Sequence, residues 1–270
     1  MSKVVFLFCE DDCHVGILAN ITSDLVPVHD IRTVKTGGVR GQNAFVEGFL
    51  TRGGASTSNK TIVFRDRDFD FPIPETPELQ VEERENKSIC TLYRVTAENY
   101  LLSPDMLKAY FHHIGKEADH NFLDIFETSA RQITAYSAAR HTLAFFRDNF
   151  SFRTSWTPQS GKLPTNLDSA FCLEKAWDLV SEKQAKLCPI DQQEFQEKFT
   201  SFFSKFDDEF FRSQQYLVWF NGKDLETSIN QNLPTGSNIA MEAYYRFALH
   251  QFDFRHFPDL MQFRDFLNTI

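Results

Sequence analysis

Lys3-Val-Val-Phe-Leu-Phe-Cys9 runs straight into Glu10-Asp11-Asp12, and Thr61-Ile-Val-Phe64 runs into Arg65-Asp66-Arg67-Asp68-Phe69-Asp70. Each apolar run is short and unbroken, the pattern of a strand buried on both faces of an α/β sheet, and each stops abruptly at acidic residues. Around them, residues 13–25 read as a first helix, 29–34 as a second strand and 41–50 as a second helix. A further strand over 89–95 follows the acidic stretch Glu82-Glu83-Arg84-Glu85. Alternating strands and helices predict a mostly parallel sheet flanked by helices.

Beyond residue 102 the pattern turns helical. Ser103-Pro104 is an N-cap followed by proline at the first helical position. Asp191 and Glu194 have capping-box spacing ahead of an apolar stripe of Phe195, Phe199, Phe202, Phe203, Phe206 and Phe210. That periodicity predicts one amphipathic helix, its stripe read as core or as a partner surface. Seven of the 29 phenylalanines lie in residues 1–100 and the other 22 beyond, so the chain divides into an α/β domain over 1–102 and a Phe-rich, mainly helical region over 103–270. The latter is expected to return to the sheet near 216–225, and 156–166 reads as a loop.

The 270 residues are 42% hydrophobic and 24% charged with 11 Gly and 10 Pro, which excludes disordered and collagen-like classes. No run approaches the roughly 18 apolar residues of a membrane span. The five cysteines do not form a disulfide framework, and Cys9 reads as buried in its strand. A soluble, cytoplasmic protein without membrane attachment is the expectation. The net charge of −9 runs against nucleic-acid binding by phosphate contacts alone, so such binding needs a local basic patch, a metal or a partner.

The carboxyl ends of parallel strands share one edge, where α/β proteins bind ligands. Glu10 and Asp12 after the first run, with Asp66 and Asp68 after the second, would therefore meet there. Clustered carboxylates repel one another, and oxygen-only ligands with Asp-x-Asp spacing suit Mg²⁺ or Mn²⁺. A solvated acidic rim is the other reading.

The order of these residues resembles the TOPRIM domain of topoisomerases, primases and the OLD (overcoming lysogenisation defect) nucleases, with a Glu ending the first strand and Asp-x-Asp after a later one. The likeness extends to stand-alone OLD-like proteins of bacteria through Gly37-Gly38, Glu98-Asn99-Tyr100-Leu101 and Gly222-Lys223-Asp224-Leu225. The family's first motif has a second acid four residues after the Glu. Here that position is His14, and Asp12 is assigned the acid's part. The resemblance implies a metal-dependent endonuclease acting on DNA or RNA, tRNA included. One Mg²⁺ or Mn²⁺ would sit on Asp66 and Asp68 and a second near Glu10 and Glu98, with Lys223 stabilising transition-state charge. It also implies a toxic effector in anti-phage defence beside a separate ABC-type ATPase, since the chain has no phosphate-binding loop of its own. A homodimer is the default assembly.

For the nucleic acid, Arg131, Arg140 and Arg147 read as a phosphate track along one helix that also carries Tyr136; pairing of these arginines with carboxylates is the competing reading. Three rival functions stay open: a receiver-like phospho-acceptor, a phosphatase using Asp66 and Asp68, and a non-catalytic metal-binding interaction subunit.

Overall fold

The computed structural model describes residues 4–25, 30–54, 59–116, 120–149, 152–157, 161–184 and 189–270. Five strands form one sheet: β1 (Val4–Cys9), β2 (Asp30–Lys35), β3 (Lys60–Arg65), β4 (Gln80–Arg84) and β5 (Lys87–Thr91), in the order β2-β1-β3-β5-β4. β1 pairs in parallel with β2 and β3, and β3 with β5, while β4 runs antiparallel to β5. The α/β class and mostly parallel sheet are therefore present. The strand expected from residue 29 begins at Asp30, residue 29 lying outside the described residues.

The unbroken apolar runs follow from cover on both sheet faces. On one, Phe8 packs with Val46, Val63 and Ile89, joined by the half-buried Phe6, Val34, Phe49 and Leu50. Val46 and Phe49 belong to helix α2 (Val39–Phe49). Gly37 and Gly38, with φ of +80° and +105°, turn the chain into that helix through backbone geometry a β-carbon would resist. Residues alternate along a strand, and on the opposite face Phe64 meets Phe263 of the helix Pro258–Thr269 at 4.6 Å between ring centroids. Helix α1 (Asp12–Ser23) meets the same end of the chain: Asn20 donates to the Leu249 carbonyl, and Gly16 leaves no room for a β-carbon beside the Leu249 side chain.

The chain divides into two compact units. Unit 1 is Met1–Arg67, Ile73–Ala97 and Tyr245–Ile270; unit 2 is Asp68–Pro72 and Glu98–Tyr244. This differs from a boundary at 102, for two physical reasons. The last helix packs on the sheet through Phe263, Asp259 accepts a hydrogen bond from Tyr93 N–H, and Gln262 one from Leu79 N–H. The Glu98–Leu101 helix instead bonds into unit 2, Asn99 Nδ2 donating to the Phe220 carbonyl at 3.1 Å. Nor does 216–225 return to the sheet: it forms the helix Tyr216–Trp219 and the start of Gly222–Asn232.

Unit 2 is helical among its described residues. Ser103 and Asp191 cap their helices as expected, accepting from Met106 N–H and Glu194 N–H. The single Phe-striped helix is a correction. It stops at Lys205, and Asp207 caps a new helix, Asp208–Arg212, by accepting from Phe210 N–H. Phe195, Phe199, Phe206 and Phe210 are nonetheless buried, whereas Phe203 is 39% exposed. No helix among the described residues is long and apolar enough to cross a membrane.

Cys9, Cys13, Cys90 and Cys172 are free thiols, and the expected burial of Cys9 is observed. Burial pushes Cys90 and Cys172 each up from 9.0 to about 12, and Cys9 up to about 11. A folded value above the unfolded one means the stabilising contribution is whole below pH 9 and is lost as pH rises through 11 to 12. Iodoacetamide at pH 8 is therefore expected to spare these three thiols in the folded protein and to alkylate them after unfolding, as read by peptide mass spectrometry.

Candidate active site

In unit 1 the last paired residues of β1 and β3 before the acids are Phe8 and Val63. The two strands then deliver Glu10 and Asp66 to the same edge of the sheet, each only 8% exposed. The backbone at Glu10 is fixed by its carbonyl, which accepts from Gly37 N–H at 2.9 Å, so the glycine turn before α2 also anchors this corner.

Asp11 caps α1 by accepting from His14 N–H at 3.2 Å, and the same Oδ1 stands 2.9 Å from His14 Nδ1. The ring is fully buried, edge-on to Phe64, with Nε2 3.0 Å from Asp66 Oδ1. That approach is close enough for an ion pair but off the line of a hydrogen bond. Burial opposes a charge on this imidazole. The Asp66 and Asp11 carboxylates outweigh it and hold the ring well above its ordinary 6.5.

Asp66 Oδ1 also accepts from Ala97 N–H at 2.7 Å. Among the described residues its Oδ2 takes no protein hydrogen bond or ion pair, so one oxygen is held and the other is open to a ligand.

His14 is the residue whose part the sequence did not reveal. Its place four residues after Glu10, where the resembled motif has an acid, was the available signal. Asp12 is a correction as a metal ligand. As the first residue of α1 it is 87% exposed and pairs with Lys35 at 2.7 Å, because the capping part falls to Asp11 and turns the next side chain outward.

In unit 2 two motifs far apart in sequence meet. Glu98 is buried and its Oε1 lies 3.1 Å from Lys223 Nζ. Asn221 caps the Gly222–Asn232 helix by accepting from Lys223 and Asp224 N–H, which fixes where the lysine starts. Asp68 follows Arg67 with φ of +48°, an uncommon left-handed conformation for a residue with a side chain.

The arginine track is a correction. Arg131 lies in the helix Phe122–Gln132 and Arg140 in Thr134–Phe145, separated at Ile133, and Arg147 lies in a 3₁₀ turn. Each is held by carboxylates: Arg131 by Glu127 and Asp208, Arg140 by Asp224, and Arg147 by Asp70. Arg140 is moreover buried.

Among the described residues no three His, Cys, Asp or Glu side chains stand together as a metal cage. A hard cation such as Mg²⁺ does not need one, since it is commonly held by one or two carboxylates with water and substrate oxygens completing its shell. Glu10 and the open oxygen of Asp66 fit that donor chemistry. In comparison with known proteins, the chain matches no protein-family model, and no curated protein matches it.

Proposed function

We propose that the chain is a metal-dependent phosphodiesterase of TOPRIM type, cleaving RNA or DNA with Mg²⁺ or Mn²⁺. The observation that carries the reading is the pair of buried carboxylates, Glu10 and Asp66, at the carboxyl ends of neighbouring parallel strands. A divalent ion bound there supplies Lewis-acid stabilisation of a phosphate oxygen and a water of lowered pKa.

The chain's own groups do the positioning. Ala97 N–H and His14 fix Asp66 Oδ1, and Asp11 in turn fixes His14, so the open oxygen keeps one orientation. Lys223 is taken, from the resemblance, as the cation that offsets developing negative charge, and Glu98 holds its ammonium group. The resemblance likewise supplies the biological setting, a defence effector beside an ABC-type ATPase.

The test incubates the purified chain with plasmid DNA and with total tRNA, each with Mg²⁺, Mn²⁺ or EDTA. Cleavage that EDTA, Glu10→Ala and Asp66→Ala each abolish is the expected result. A folded wild-type protein that binds no Mn²⁺ by calorimetry overturns the reading.

A further inference from the structure

Lys198, Phe202 and Lys205 recur at i, i+4 and i+7 on the helix Gln192–Lys205 and so share one face. Lys198 Nζ lies 3.7 Å from the ring centre of Phe145 and 5.3 Å from that of Phe202. Lys205 Nζ lies 5.9 Å from Phe202 and 5.5 Å from Trp219. Phe145 ends its own helix with half of its surface exposed. Neither lysine has a carboxylate partner among the described residues, although the chain carries −9 overall and Glu194 stands one turn before Lys198. The arginines of the expected phosphate track, in contrast, are all taken by acids.

We infer that Phe145, Lys198, Phe202 and Lys205 form a docking strip of unit 2 for single-stranded nucleic acid. Two ammonium groups not neutralised by protein acids are available to phosphates, and Phe145, half exposed with Lys198 over its ring, offers an aromatic surface to a base. A duplex keeps its base faces stacked inside and would meet this surface only with its backbone, leaving the ring unused. That the occupant is a nucleic acid rests on the phosphodiesterase reading; the strip itself rests on these side chains.

The experiment is fluorescence anisotropy of labelled 12-nucleotide oligo(U) and oligo(dT), with a matched duplex and an acidic amphipathic peptide as competitors. It is performed in EDTA so that cleavage plays no part. Wild type is expected to prefer the single strands about tenfold over duplex. The double substitution Lys198→Gln, Lys205→Gln is expected to weaken binding and to flatten the slope of log K against log salt by about 1.4, roughly 0.7 for each lost phosphate contact. Phe145→Ala is expected to weaken binding about tenfold with the slope unchanged, and Phe145→Tyr to restore it.

Unchanged affinity and slope in the lysine variant, unchanged affinity in Phe145→Ala, or a preference for the duplex or the peptide overturns the strip. Single-strand binding in EDTA without any Mg²⁺-dependent cleavage leaves the strip standing and removes the phosphodiesterase reading instead.

Discussion

Asp66→Asn is expected to lower metal-dependent cleavage at least about a thousandfold, a loss of some 4 kcal/mol of transition-state stabilisation. The amide keeps an oxygen able to accept from Ala97 N–H, and His14 keeps Asp11, so the fold around the site persists. What disappears is the negative charge on the oxygen that takes no protein partner. Glu10→Gln is expected to behave alike, being equally buried at the end of the neighbouring strand. Asp12→Asn is the discriminating control. Its carboxylate is exposed and paired with Lys35, and exposed pairs contribute little. Cleavage and Mn²⁺ binding are both expected to remain at wild-type level in that variant. Initial rates over a Mg²⁺ titration, with calorimetry for Mn²⁺, measure the contrast. A loss in Asp12→Asn equal to that in Asp66→Asn would show that acidity in general, and not these two strand ends, matters.

The strands that carry the site are legible because an uninterrupted apolar run that stops at acids suits little besides a buried strand, and β1 and β3 are such runs. β4 is not legible in this way: Gln80–Arg84 is mostly charged and exposed, as an edge strand tolerates, and its pairing with β5 supplies the hydrogen bonds its composition does not advertise. Caps written in local chemistry, Ser103 and Asp191, read correctly. Asp207 is hidden because the phenylalanine period continues across it. The arginines fall within one stretch of sequence, but the helix breaks at Ile133 and ends at Phe145, so the three lie on three different elements. His14 and the Glu98–Lys223 pair depend on which elements become neighbours, and spacing along the chain holds no record of that. Glu98 and Lys223 each stand out by motif, yet their contact is a property of the fold alone.

Asp224→Ala is expected to destabilise the protein by about 3–5 kcal/mol, since removing one partner of a buried pair leaves the other charge without compensation. Arg140 and Asp224 are 5% and 2% exposed and bonded to each other. The surroundings complete both groups: Arg140 Nε donates to the Thr154 carbonyl at 3.2 Å, its guanidinium lies 4.3 Å from the Phe69 ring centre, and Asp224 Oδ1 accepts from Gly161 N–H at 2.9 Å. Alanine at 224 therefore leaves a buried guanidinium with the Thr154 carbonyl and the Phe69 and Tyr136 rings but no carboxylate bonded to it. It also frees the Gly161 N–H, loosening the attachment of this stretch to the Gly222–Asn232 helix. Arg140→Met is expected to cost less, because Asp224 keeps the Gly161 donor. Arg140→Met with Asp224→Leu is expected to recover much of the loss by replacing both charges with apolar volume. Urea unfolding of these three variants together with Asp224→Leu closes the double-mutant cycle and gives the coupling energy; a cost below about 1 kcal/mol for Asp224→Ala would mean that the pair is solvated in solution. The same series separates stability from recognition. Arg140 is buried, so the folded double variant is expected to bind single-stranded oligonucleotide as wild type does, whereas weakened binding would return Arg140 to the nucleic-acid surface.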